Sequence, residues 1–169
     1  DAAAAFPDVV VINSFSKYFA MTGWRLGWMV VPEAWIEPVR RLAQNLFVAP
    51  STPAQSAALA AFEPYTEARL QAQVAELRSR RDVLLKALPE LGLSVQAQPE
   101  GAFYIYADCT AHADDSEALC RRMLEATGVA VTPGTDFSPG AGRNYLRIAY
   151  TQPESRLREA ITRLQAFLT

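Results

Sequence analysis

Apolar residues change their spacing several times along this chain, and each change marks an element. From Val9 to Val31, VVVINSFSKYFAMTGWRLGWMVV, the pattern reads as a strand over Val9 to Ile12, a polar turn carrying Asn13, Ser14, Ser16 and Lys17, a loop, and a second apolar strand over Leu26 to Val31. Pro32 and Glu33 then open a helix in which Trp35, Val39, Leu42 and Leu46 recur at helical spacing, with Pro38 in its first turn or bending it. Ser51-Thr52-Pro53 supplies an N-cap followed by proline, which starts an Ala-rich helix over 53–62. From Pro64 to about Leu91 a long helix places Leu70, Val74, Leu77, Leu84, Leu88 and Leu91 on one stripe, with Arg81 in the missing slot. Arg78, Arg80, Arg81 and Asp82 charge its outer face.

Gly92 stops that helix and the spacing switches to alternation. Leu93 to Gln96 reads as a short strand and Gly101 to Tyr106 as another, with the turn residues Pro99, Glu100 and Gly101 between them. A helix over Asp114 to Thr127 carries Leu119, Met123 and Ala126 on one side and ends at Gly128. Val129 to Thr132 is a short buried strand, and a glycine-proline loop runs to Gly142. In the strand 145–150, Leu146, Ile148 and Tyr150 face one way while Tyr145, Arg147 and Ala149 face the other. The last helix, Pro153 to Leu168, turns Leu157, Ile161, Leu164 and Leu168 toward that sheet.

Half of the 169 residues are hydrophobic, enough for a real core in one domain or two small ones. A net charge of −2 offers no basic footprint for nucleic acid or an anionic membrane. No apolar run approaches the roughly 20 residues of a membrane span, and DAAAAFPD lacks the basic start of a signal peptide. Cys109 and Cys120 form neither a disulfide framework nor a metal motif, so they read as reduced thiols in a cytoplasmic protein, and no metal site is expected. His112, the only histidine, sits in a polar loop and receives no catalytic role.

Two groups carry candidate chemistry. Only two of the sixteen Lys and Arg residues are lysines, so Lys17 at the end of a buried strand stands out. A buried ammonium is costly unless it loses its proton or finds a partner, which is the setting of a Schiff-base lysine. Ser14, Ser16 and Arg25 surround it with donors suited to a dianionic phosphate, and Gly23 and Gly27 let the backbone turn tightly or approach a ligand closely. The plainer alternative is a strand-turn-strand with a solvated lysine and an arginine capping a carbonyl. Arg147, held on a strand beside a flexible loop, has the geometry to grip a carboxylate through two parallel hydrogen bonds, or is a solvent-facing arginine on a sheet.

Ser14-Phe15-Ser16-Lys17 followed by Met21-Thr22-Gly23-Trp24-Arg25-Leu26-Gly27-Trp28 closely resembles the pyridoxal-phosphate attachment site of class I/II aminotransferases, of the aspartate aminotransferase fold type. The segment PGTDF…NYLRIAY resembles the C-terminal motif of the same family, in the right order. The resemblance implies an α/β protein of fold type I: residues 1–72 as the end of the large cofactor-binding domain and 73–169 as a small α+β C-terminal domain. It implies pyridoxal 5′-phosphate as cofactor, Lys17 as the Schiff-base lysine, Ser14, Ser16 and Arg25 as its phosphate ligands, and Arg147 as the group that binds the substrate α-carboxylate. Amino acids and 2-oxo acids would be the substrates and a homodimer the assembly, with Ser51 and Thr52, besides capping, near the partner's phosphate.

In that family most of the large domain precedes the lysine, so the chain reads as the C-terminal part of a longer enzyme, inactive by itself. Asp1 lies too close to the lysine strand to be the acidic partner of the pyridine nitrogen, and Asp1 to Phe6 reads as a loop end. Two other readings keep the motif: a same-fold carbon–sulfur β-lyase or decarboxylase, and a non-enzymatic aminotransferase-like domain of a transcription regulator.

Overall fold

Two strands that meet in antiparallel register frame the lysine turn: β1 (Val11–Ser14) and β2 (Gly27–Val30), with Val11 opposite Val30 and Ser14 opposite Gly27. The computed structural model describes residues 2–6 and 8–168. Asp1, set aside above as an acidic partner, lies outside the described residues. Ala2–Ala5 forms one helical turn, α1, where a loop end was expected, as four consecutive alanines favour. β1 begins two residues later than the apolar run, because the Val9 amide bonds back to the Phe6 carbonyl in a turn.

The chain divides into two compact units, Asp1–Ala72 and Gln73–Thr169. In the first, α2 (Glu33–Leu46) contains Pro38 beyond its first turn, and α3 (Thr52–Leu59) is capped by the Ser51 hydroxyl, which accepts from the Ala54 amide. The N-terminal part of α4 (Pro64–Ala87) completes it. Its core is small: Phe15, Met21, Ala58 and Ala61, with Phe19, Leu26 and Ala57 packed against them. The stripe of α2 stays in water, with Trp35, Leu42 and Leu46 all exposed.

The second unit builds a three-stranded antiparallel sheet in the order β3-β5-β4, from β3 (Tyr104–Asp108), β4 (Thr132–Pro133) and β5 (Tyr145–Ala149). One face of it, Ile105, Ala107, Leu146 and Ile148, is buried. Against that face pack Leu84 of α4 and Leu88 just after it, Leu119 and Met123 of α5 (Ser116–Thr127), and Leu157 and Leu164 of α6 (Glu154–Leu168). Asp115 caps α5 by accepting from the Glu117 and Ala118 amides, and Gly128 ends that helix at φ +70°; α4 stops at Ala87, short of the expected Leu91, and Gly92, also at φ +70°, ends a separate 3-10 turn, Pro89–Leu91.

Several expectations need correcting here. Leu93 to Gln96 makes a single bridge, Ser94 to Asp108, and no strand. The strand over 101–106 starts only at Tyr104, since Ala102 sits at φ +63°, which breaks the extended backbone. Arg80 and Arg81 leave the outer face of α4 and turn inward, donating to the Thr151 and Pro99 carbonyls. His112 has a structural partner, the Leu91 carbonyl at 2.6 Å.

Candidate functional site

Where β1 runs into its turn, Phe15 is buried and Ser16 half-buried, while Ser14 and Lys17 are exposed. Phe15 is buried between Phe19, Trp28 and Phe62, with ring centroids 4.9, 4.9 and 6.0 Å away, so an aromatic cluster holds the turn from below. The Ser14 hydroxyl donates to the Ser16 hydroxyl at 2.9 Å and accepts from the Ser16 amide at 3.0 Å. The Thr22 hydroxyl donates to the Ser16 carbonyl at 2.6 Å, and Arg25 Nη1 donates to the Thr22 carbonyl at 3.0 Å. Ser14, Ser16 and Arg25 are thus joined through Thr22 in one hydrogen-bonded chain.

Two backbone features lock this shape. Arg25 adopts the left-handed conformation (φ +54°, ψ +51°), a costly choice for a residue with a Cβ and one that accumulates at functional sites. A Cβ on Gly27 would lie 2.7 Å from the Asn13 carbonyl oxygen, so glycine is what lets β2 close on β1 beside Ser14. Gly23 has open space around it and needs no such explanation. Lys17 follows on the same turn, its carbonyl accepting from the Ala20 amide at 3.0 Å. The expected buried setting is corrected: β1 has one neighbour, β2, most of both strands faces solvent, and Lys17 is exposed.

In the second unit the alternation of β5 is observed as read: Leu146, Ile148 and Tyr150 are buried, Tyr145 and Arg147 half-buried and Ala149 exposed. Arg147 lies on the central strand, opposite Tyr106 on one side and Thr132 on the other. Its guanidinium carbon is 5.3 Å from the Tyr104 ring centroid and 4.7 Å from that of Phe137, and Nη2 donates to the Thr132 hydroxyl at 3.3 Å. Among the described residues the ion pairs fall on Arg40, Arg80, Arg81, Arg156, Arg158 and Arg163, and Arg147 is in none of them. A half-buried cation held by rings and a hydroxyl keeps its charge available for an anion.

Thr22, Tyr104, Thr132 and Phe137 escaped the sequence reading. Thr22 and Phe137 left a trace, as residues inside the MTGWRLGW and PGTDF motifs, without a role of their own. Tyr106 stacks on Tyr145 with centroids 4.8 Å apart, and burial raises its phenol above the ordinary tyrosine range. Cys109 and Cys120 are buried and not disulfide-bonded, and burial pushes both thiols up to about 11. Among the described residues no cluster of three or more His, Cys, Asp or Glu could hold a metal, and no helix is long and apolar enough to cross a membrane.

Comparison with known proteins places this geometry. The family model for aminotransferase class I and II matches residues 2–164. A valine–pyruvate aminotransferase of Mycobacterium tuberculosis is 40% identical over 161 residues, covering 95% of this chain and 42% of that protein. A (5-formylfuran-3-yl)methyl phosphate transaminase of Methanocaldococcus jannaschii is 36% identical over 94% of this chain and 42% of its own. Among solved structures, a Thermus thermophilus aspartate aminotransferase double mutant superposes with a TM-score of 0.90 at 36% identity, over 99% of this chain and 44% of that one. The chain therefore spans under half the length of the relatives it matches, and its mixed helices and strands form part of a fold type I architecture.

Proposed function

Because the chain belongs to the aminotransferase class I and II family, we propose that its full-length protein moves an amino group between an amino acid and a 2-oxo acid, using pyridoxal 5′-phosphate bound at Lys17. The observation that carries this is the hydrogen-bonded chain Ser14–Ser16–Thr22–Arg25 with Lys17 on the same turn. Two hydroxyls and a guanidinium fit a phosphate dianion, and a primary amine beside them fits the aldehyde of the same molecule. When bound, the cofactor supplies the electron sink for the carbon from which a proton is lost.

The chain's own residues divide the remaining work. Arg25, Ser14 and Ser16 hold the phosphate. Lys17 would hold the cofactor through its Nζ, and the same Nζ would serve as the base for the proton of the substrate α-carbon. Arg147 binds the α-carboxylate through paired N–H donors, and its place on a β-strand keeps those donors fixed while the proton moves. The relatives' names span valine, aspartate and a furan phosphate, so the proposal is for amino acids as a class. A homodimer is proposed with it, supported by the exposed apolar residues of α2.

The test is a product assay on the full-length protein. Nitrogen recovered in a new amino acid, with the donor converted to its oxo acid, supports transamination; released ammonia or carbon dioxide contradicts it. Lys17→Ala should lower the rate at least about 10²- to 10⁴-fold, the range a positioned proton-transfer group contributes.

A further inference from the structure

We propose that Phe137 and Tyr104 are positioning residues for Arg147: their rings hold the guanidinium in a carboxylate-ready conformation without neutralising it. The inference rests on the reading of Arg147 as the carboxylate-binding group.

Three pieces of chain converge on this one side chain: Tyr104 from β3, Thr132 from β4 and Phe137 from the loop before β5. An arginine side chain has many rotamers, and every one lost before binding need not be lost on binding. A carboxylate neighbour would fix it too, but would occupy the donors the ligand needs. An aromatic face attracts the cation through its quadrupole and leaves the N–H groups at the rim. The single hydrogen bond to Thr132 uses one of the five donors.

The loop that carries Phe137 is built to keep its ring in place. Gly134 and Gly142 bring its two ends into backbone contact: a Cβ on Gly134 would lie 2.5 Å from the Gly142 carbonyl oxygen, and one on Gly142 would collide with the Gly134 carbonyl. The Gly134 carbonyl accepts from the amides of Phe137 (3.0 Å) and Ser138 (3.1 Å), which sets the direction of Phe137. Both ends are tied to the first turn of α5. The fully buried Ser116 donates to the Gly142 carbonyl at 3.1 Å, and Thr135 donates to the Glu117 carboxylate at 2.8 Å. Phe137 itself remains 54% exposed, so this scaffold serves no core contact of its ring. The contact it does serve is the one with Arg147.

The experiment measures binding of propionate, a carboxylate with no amine, by calorimetry on the full-length protein, beside KM and kcat for an amino acid. Phe137→Leu keeps apolar bulk and removes the ring. It should weaken propionate about tenfold and raise KM to match, with kcat and the melting midpoint unchanged, and Phe137→Tyr should restore both constants. Tyr104→Leu, read in the same way, carries the test if Phe137→Leu melts early. Unchanged propionate affinity in the folded variant, with affinity lost in Arg147→Lys, overturns the positioning role and leaves the carboxylate reading standing. Unchanged affinity in Arg147→Lys overturns the reading itself, and the positioning role with it.

Discussion

The two units of this chain draw on the same kind of sequence and come out differently. In residues 73–169 the apolar stripes close on each other: Leu88, Leu91, Leu93, Ile105, Leu119, Met123 and Leu146 are all essentially without solvent contact. In residues 1–72 equally regular stripes stay open, with Leu46 77% and Ile12 74% exposed, and the buried cluster is a handful of residues beneath the lysine turn. Periodicity therefore reports that a face is meant for burial, and not which segment buries it. The candidate chemistry follows the same division: the proposed cofactor residues sit on an open turn braced by aromatics, and Arg147, the proposed carboxylate ligand, on the outer face of a closed sheet.

The sharpest way to break that comparison is one truncation in each unit, measured by denaturation of residues 1–169. Met123→Ala should cost about 2–5 kcal/mol, because it opens a cavity in a packed core. Leu46→Ala should change stability by less than about 0.5 kcal/mol, as at an ordinary surface position. Equal costs would mean that α2 is packed after all.

The core of the second unit also predicts a pH response. Burial raises the Cys109 and Cys120 thiols to about 11, above the reference of about 8.5 for an unfolded chain. A folded value above the unfolded one means this contribution is fully present below the unfolded value and is lost as pH rises through the folded one. The second unit should therefore lose stability between about pH 8.5 and about 11, and neither thiol should react with an alkylating reagent at pH 8 until the unit unfolds. Rapid labelling of the native protein would contradict the closed core.

Much of this division was legible from residues. Gly128 ended its helix as read, Ser51 capped α3, and the alternation of Leu146, Arg147 and Ile148 gave the right faces. These are local properties, set by one element's own dihedrals and period. What stayed hidden needed partners distant in sequence. Thr22 matters because the loop folds its hydroxyl back onto the Ser16 carbonyl, and Tyr104 and Phe137 matter because the β3-β5 register and the Gly134–Gly142 contact bring both rings to one guanidinium. Arg80 looked like outer-face charge for the same reason: the Thr151 carbonyl that draws it inward is on a different element.

A backbone change sharpens the contrast within the open unit. Arg25→Gly relieves a left-handed backbone and should raise stability by about 1 kcal/mol. The same change removes a cation from the proposed phosphate site, so affinity of the full-length protein for pyridoxal phosphate should fall although the fold is firmer. A variant that is both firmer and unaltered in cofactor affinity would reduce Arg25 to a carbonyl cap.

The central claim is that Lys17 carries the cofactor, and borohydride reduction of the full-length protein with pyridoxal phosphate, followed by peptide mapping, tests it directly. The chain offers two lysines, Lys17 and Lys86, both exposed, so accessibility alone does not choose between them. A reduced adduct confined to Lys17, and absent from Lys17→Ala, is the result this account predicts. An adduct on Lys86, or one that survives in Lys17→Ala, would contradict it.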